Sequence, residues 1–221
     1  MVIEIEKELL KFKSHIIDFA SIKSILMTLG YKSIEDKINE LKQKGVLKSV
    51  KKGLYFHSSI IYNNILVKEI LANIISGPSY ISLEYALSYH GLIPETVYEL
   101  TCVSAKRSKY FSTVVGNFSY KMIKKDLFHI GLMLEETESG NFIIATKEKA
   151  LCDTIYFNKD AYLLSKGSML IFLENDLRLE MDELNKFDLS IIRSYYEISK
   201  SKKIAVFLKL LQQQNVNKFQ L

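Results

Sequence analysis

The chain has 221 residues, 48% of them hydrophobic, and a formal net charge of +5. Two prolines and nine glycines are too few for a disordered or low-complexity chain, and no apolar run is long enough to span a bilayer. Cys102 and Cys152 lie far apart and outside any Cys-x-x-Cys pair, and "MVIEIEKELLKFK" interrupts its apolar residues with charge, so neither a disulfide scaffold nor a signal peptide is expected, and a cytoplasmic protein is.

Apolar spacing predicts a first helix over residues 3–13, with Ile5, Leu9 and Phe12 on one face. "FASIKSILMTLG" predicts a second, with Ile22, Ile25, Leu26 and Leu29 inward and Gly30 ending it. "YKSIEDKINELKQKG" predicts a third, with Ser33 as N-cap, Ile34, Ile38 and Leu41 inward, and Gly45 as the stop. A hairpin comes next in "VLKSVKKGLYF", turning at Lys51, Lys52 and Gly53, while Leu54 to Phe56 return to the core. Two helices joined by a tight turn and succeeded by a hairpin describe a winged helix-turn-helix unit over residues 1–58. A unit this small is marginal alone and is expected to dock on the remainder of the chain.

Residues 59–221 are expected to form a larger α+β domain. It would open with a helix over 59–75, broken by "SGPS", and a second in "YISLEYALSYHGLIPE" between Ser82 and Gly91. Residues 97–145 are rich in β-branched and aromatic residues and predict a small, mainly antiparallel sheet, with "ETESGN" as a hairpin turn. Thr146 would cap "KEKALCDTIYFN", and residues 161–214 read as helical, giving the chain a helical C-terminus. The fold class is therefore α+β.

Charge is uneven along the chain. Residues 1–58 hold eleven lysines against seven acids, a net +4, and the remainder holds nineteen bases against eighteen acids, a net +1. A local basic patch is the footprint of a nucleic-acid-binding module, although a solvated lysine-rich face has the same composition. On the third helix the face opposite the core carries Lys32, Asp36, Asn39 and Gln43. Asn and Gln can pair with adenine, Asp can accept from cytosine, and Lys can reach guanine or phosphate. Lys42, Lys44, Lys48, Lys51 and Lys52 suit phosphate contact, which sets affinity without reading sequence. Tyr55 reads as an anchor of the hairpin. Lys106, Arg107 and Lys109, in a turn between strands, form a possible secondary basic patch, or simply a solvated turn.

Catalytic chemistry finds no foothold. His15, His57, His90 and His129 lack metal-ligand spacing, and no P-loop, dinucleotide fingerprint or Gly-x-Ser-x-Gly occurs. Cys102, in an apolar strand, reads as a buried structural thiol. No enzyme, metal or cofactor is expected.

Three blocks, "YISLEYALSYHGLIPE", "TCVSAKRSKYFSTVVGNFSYKMI" and "IATKEKALCDTIY", together with the helix-turn-helix ending in "KKGLYF", resemble in order and spacing the AbiEi-type antitoxins of abortive-infection, type IV toxin-antitoxin systems. The resemblance covers residues 15–160. It implies a winged helix that binds inverted repeats in double-stranded DNA upstream of its own operon and represses it, with Lys32, Asn39 and Gln43 on the recognition helix and Lys48, Lys51 and Lys52 on the wing. It also implies a C-terminal domain associated with antitoxicity, counteracting a nucleotidyltransferase-like toxin without a stable complex. A module that neutralises a partner protein by direct binding is the alternative.

Overall fold

The computed structural model describes residues 2–12, 16–58, 67–159 and 163–218. The chain is mixed α+β, with antiparallel strand pairing and a helical C-terminus. The N-terminal region runs α1 (Val2–Leu9), β1 (Ile16–Asp18), α2 (Phe19–Thr28), α3 (Ile34–Gln43), β2 (Leu47–Lys51) and β3 (Leu54–His57). Ile5, Leu9, Ile22, Leu26, Ile38 and Leu41 are buried together with Ile17 and Leu47, so the apolar stripes of three helices close on one face of a small sheet. The expected helix to residue 13 ends earlier, and Lys13 lies outside the described residues.

β1 has no counterpart among the elements predicted from spacing. It pairs antiparallel with β3, Ile16 opposite Phe56 and Asp18 opposite Leu54, to give the strand order β1-β3-β2. Asp18 then caps α2 by accepting from the Ser21 amide at 2.7 Å. Ser33 stands at the N-cap of α3 but makes no side-chain cap bond, contrary to expectation. The hairpin turns at Lys52 and Gly53, with Gly53 at φ +78°, a conformation that penalises any side chain, while Lys51, expected in the turn, ends β2.

Alternation along the strands gives this sheet two buried faces. Ile17, Leu47 and Tyr55 face the helices, whereas Ile16, Leu54 and Phe56, with Val50, join the core of the second region. The N-terminal region thus shares a core with the second. Residues 59–66, the expected start of the next helix, lie outside the described residues; α4 is described over Lys68–Ile75.

The second region continues with β4 (Ser79–Ile81), α5 (Leu83–Tyr89), β5 (Leu100–Ser104), β6 (Lys109–Thr113), β7 (Gly116–Met122), β8 (Leu132–Thr137) and β9 (Gly140–Ala145). These strands form one six-stranded sheet ordered β6-β7-β5-β4-β9-β8. Three of its five ladders are antiparallel, as expected, while β5 with β7 and β4 with β9 run parallel. The helix begins after Ser82, as expected, and Tyr80 and Ile81 ahead of it belong to central strand β4. The remaining helices are α6 (Lys147–Phe157), α7 (Lys166–Ile171), α8 (Leu189–Ser199) and α9 (Lys202–Lys218). Between α7 and α8 the chain winds through a π turn at Phe172–Asp176 and a 3-10 segment at Met181–Lys186, so the helical C-terminus is broken. Thr146 caps α6 as expected, accepting from the Lys149 amide.

Candidate nucleic-acid interface

Burial of Ile38 and Leu41 fixes the rotation of α3 and leaves its other side to solvent. Lys32, Asp36, Asn39, Lys42, Gln43 and Lys44 are all exposed. Lys32 and Asp36 rim a concavity of about 540 Å³ with Lys23 of α2. Asn39 lines a second of about 540 Å³ together with Phe19, Ile38 and Tyr55 and with Lys52 and Gly53 at the hairpin turn. Asn39 and Lys52 therefore line the same groove. Lys42, Gln43 and Lys44, at the C-terminal end of α3, line neither concavity.

Glu35, exposed and lining both concavities, is missed by helical spacing because it lies at the border of the polar face. Lys37 is missed as well, because its stem is buried in spite of its charge. Its ammonium lies 4.9 Å from the centre of the Tyr31 ring and donates to Glu40 at 2.8 Å. Lys44 donates to the same carboxylate at 2.6 Å, so Glu40 falls from its ordinary 4.5 to about 2, drawn first by Lys37 and then by Lys44.

On the hairpin, Lys48 and Lys52 are exposed but Lys51 is half-buried. Strict alternation from Leu47 would place Lys51 on the side of Ser49. The ladder slips between Ser49, opposite Tyr55, and Lys51, opposite Leu54, and this bulge turns Lys51 toward the second region. There it donates to Ile75 O at 2.5 Å. Burial pushes its ammonium below the ordinary lysine range, with Lys109 and then Lys106 adding repulsion. Lys106, Arg107 and Lys109 are exposed around the β5–β6 turn, and Lys106 donates to Gly77 O at 2.5 Å. The structure thus brings Lys51 to this patch.

A second polar constellation is wholly internal. Asp153 of α6 accepts from Tyr80 and Ser82 at Oδ2, at 2.9 and 2.8 Å, and from Tyr195 at Oδ1, at 2.8 Å. Lys149, one helical turn earlier, lies 3.1 Å from Asp153 Oδ1 and donates to Leu127 O at 2.8 Å. Its ammonium also sits 4.5 Å from the Tyr195 ring centre and 5.2 Å from that of Tyr80. Burial pulls Lys149 downward, against the opposing pull of Asp153, and raises both tyrosines well above their ordinary range. Tyr80, Ser82, Lys149, Asp153 and Tyr195 are each 0% exposed. A ligand has no access to this group, whose hydrogen bonds tie the helices to the sheet.

Tyr80 and Ser82 come from the first of the three sequence blocks, and Lys149 and Asp153 from the third. Thr101, which opens the second block, donates to Ser82 O at 2.6 Å and accepts from the Tyr85 amide at 3.1 Å. The blocks meet around one buried carboxylate. Cys102 is buried beside them, and burial raises its thiol well above the ordinary range. Among the described residues no group of three or more His, Cys, Asp or Glu could hold a metal ion, and no helix is long and apolar enough to cross a membrane. No protein-family model matches the sequence, and no curated protein matches it.

Proposed function

We propose that this protein is a DNA-binding autorepressor in which α2 and α3 form a helix-turn-helix and the β2–β3 hairpin is its wing. The observation that carries the reading is the groove that Asn39, on the exposed side of α3, lines together with Lys52 at the hairpin turn. That pairing suits a base-reading amide held beside a phosphate-contacting ammonium. Lys32, Asp36 and Gln43 extend the reading face, and Lys48 extends the phosphate-contacting edge. The antitoxin role, opposing a nucleotidyltransferase-like toxin, rests on the resemblance of the three blocks to AbiEi-type antitoxins.

Gel shift of the full chain against DNA from upstream of its own gene tests the DNA half. Sequence-preferring, salt-sensitive binding is expected, and its absence sinks the reading. Lys48→Ala with Lys52→Ala is expected to weaken binding to every sequence alike and to lower the salt slope by about 0.9 for each phosphate no longer neutralised. Growth rescue on co-expression with the product of the neighbouring gene tests the antitoxin half; no rescue contradicts it.

Direct binding of a partner protein is the second reading. It is favoured by Leu134 and Ile143, a cross-strand pair 57% and 38% exposed on β8 and β9. A stoichiometric complex with the neighbouring gene product would favour it over rescue without a complex.

A further inference from the structure

Lys51 of the hairpin meets Lys106 and Lys109 of the β5–β6 turn where the hairpin joins the six-stranded sheet. Lys51 donates to Ile75 O, at the last residue of α4, and Lys106 donates to Gly77 O two residues further along the same turn. Lys109 opens β6 opposite Tyr120, whose hydroxyl bonds Ala72 O of α4, so Lys109 stands on the sheet face that α4 covers.

An ammonium has three donors, and one carbonyl leaves two of them available. Among the described residues none of the three lysines forms an ion pair, although lysines elsewhere on the chain do. Capping the negative end of α4 accounts for Lys51 alone. It does not account for Lys109, or for Arg107 exposed in the same turn. Like charges gathered in this way repel one another, which lowers the Lys51 ammonium further after burial has done so. An oxyanion placed among them would relieve that repulsion and take up the remaining donors.

We propose that Lys51, Lys106 and Lys109 form a seat for one backbone phosphate of a DNA duplex that passes from the hairpin onto the second region. The proposal rests on the DNA-binding reading and deepens it. Contact would not end at the wing, and the second region would contribute affinity without reading bases. Arg107, in the same turn, would contact the adjoining backbone.

The test is a salt titration of full-length protein on a labelled duplex from upstream of its own gene. Lys106→Gln with Lys109→Gln removes two exposed side chains and leaves the Lys51 bond to Ile75 O in place. The slope of log K against log salt is expected to fall by about 0.9, the value for one phosphate contact, with base preference unchanged. Lys202→Gln with Lys209→Gln removes the same charge from α9, which packs on α6, α7 and α8, and is expected to leave the slope at its wild-type value. A wild-type slope in the Lys106/Lys109 variant, or an equal fall in the α9 variant, overturns the seat while the DNA reading stands. Wild-type protein that shows no salt-sensitive binding overturns both.

Discussion

α3 and α6 have ten and eleven residues, and both carry lysine, aspartate and glutamate, yet they put these residues to opposite use. α3 rests on the N-terminal core through one stripe and leaves Asp36, Asn39, Lys42 and Gln43 in solvent. α6 is enclosed by α5, α8, α9 and β9, and Lys149 and Asp153 are fully buried with their partners supplied by the protein. A polar side chain that has its partners inside the fold is committed to holding it. One in solvent, on a helix whose rotation is fixed, remains available to another molecule. The difference lies in the neighbours and not in the residue types.

Asp153 is where loss of a buried partner has the largest expected effect. Asp153→Asn leaves Lys149 buried without its counter-charge and is expected to cost about 3–5 kcal/mol in urea unfolding; a loss well under 1 kcal/mol would contradict the committed role of the network. Gly131 is the next largest. At φ +58° its position penalises a side chain, and an added Cβ would fall 2.9 Å from Lys149 Cβ and from Ile191 Cγ2. Gly131→Ala is therefore expected to destabilise by roughly 1–3 kcal/mol. Gly45, at φ +73° behind α3, has nothing within 4 Å of such a Cβ. Gly45→Ala should cost less, and an equal melting-temperature shift for the two would show that packing around Lys149 adds nothing.

The smallest expected effect is on α3 itself. The Glu40 carboxyl is depressed from 4.5 to about 2, so its contribution to stability is complete above pH 4.5 and is lost as the pH falls from there through about 2. In Lys37→Met the Glu40 midpoint, followed by carboxyl NMR, should move upward toward 4.5. A midpoint unchanged by the substitution would mean that Lys37 does not hold it.

Elements with a strong local pattern were legible in the sequence. The apolar stripes of α2 and α3, Gly53 at the hairpin turn, the Thr146 cap and the broad α+β class all arise from short-range spacing and turn chemistry. β1 was not legible, because three residues show no period and their partner strand ends at His57. The orientation of Lys51 was hidden by a bulge that reverses the expected alternation. The Asp153 network joins residues 71 and 42 positions away from it, so spacing could mark Ser82 only as a cap residue. In the candidate interface, exposure of Asp36, Asn39 and Gln43 came directly from the helical period, whereas Lys32, expected on the same helix, lies ahead of the Ser33 N-cap and outside α3. Their division between a groove facing the hairpin and the far end of α3 depended on where the hairpin docks.

In the proposed function α3 presents base-reading side chains to a DNA groove. The most direct measurement of this compares wild type and Asn39→Ala against a panel of single-base variants of the upstream duplex at fixed salt. Loss of about 1–3 kcal/mol of discrimination at one base pair, with urea stability within about 0.5 kcal/mol of wild type, is the result this account predicts. An unchanged preference at every position, in a variant that still binds and folds, would contradict it.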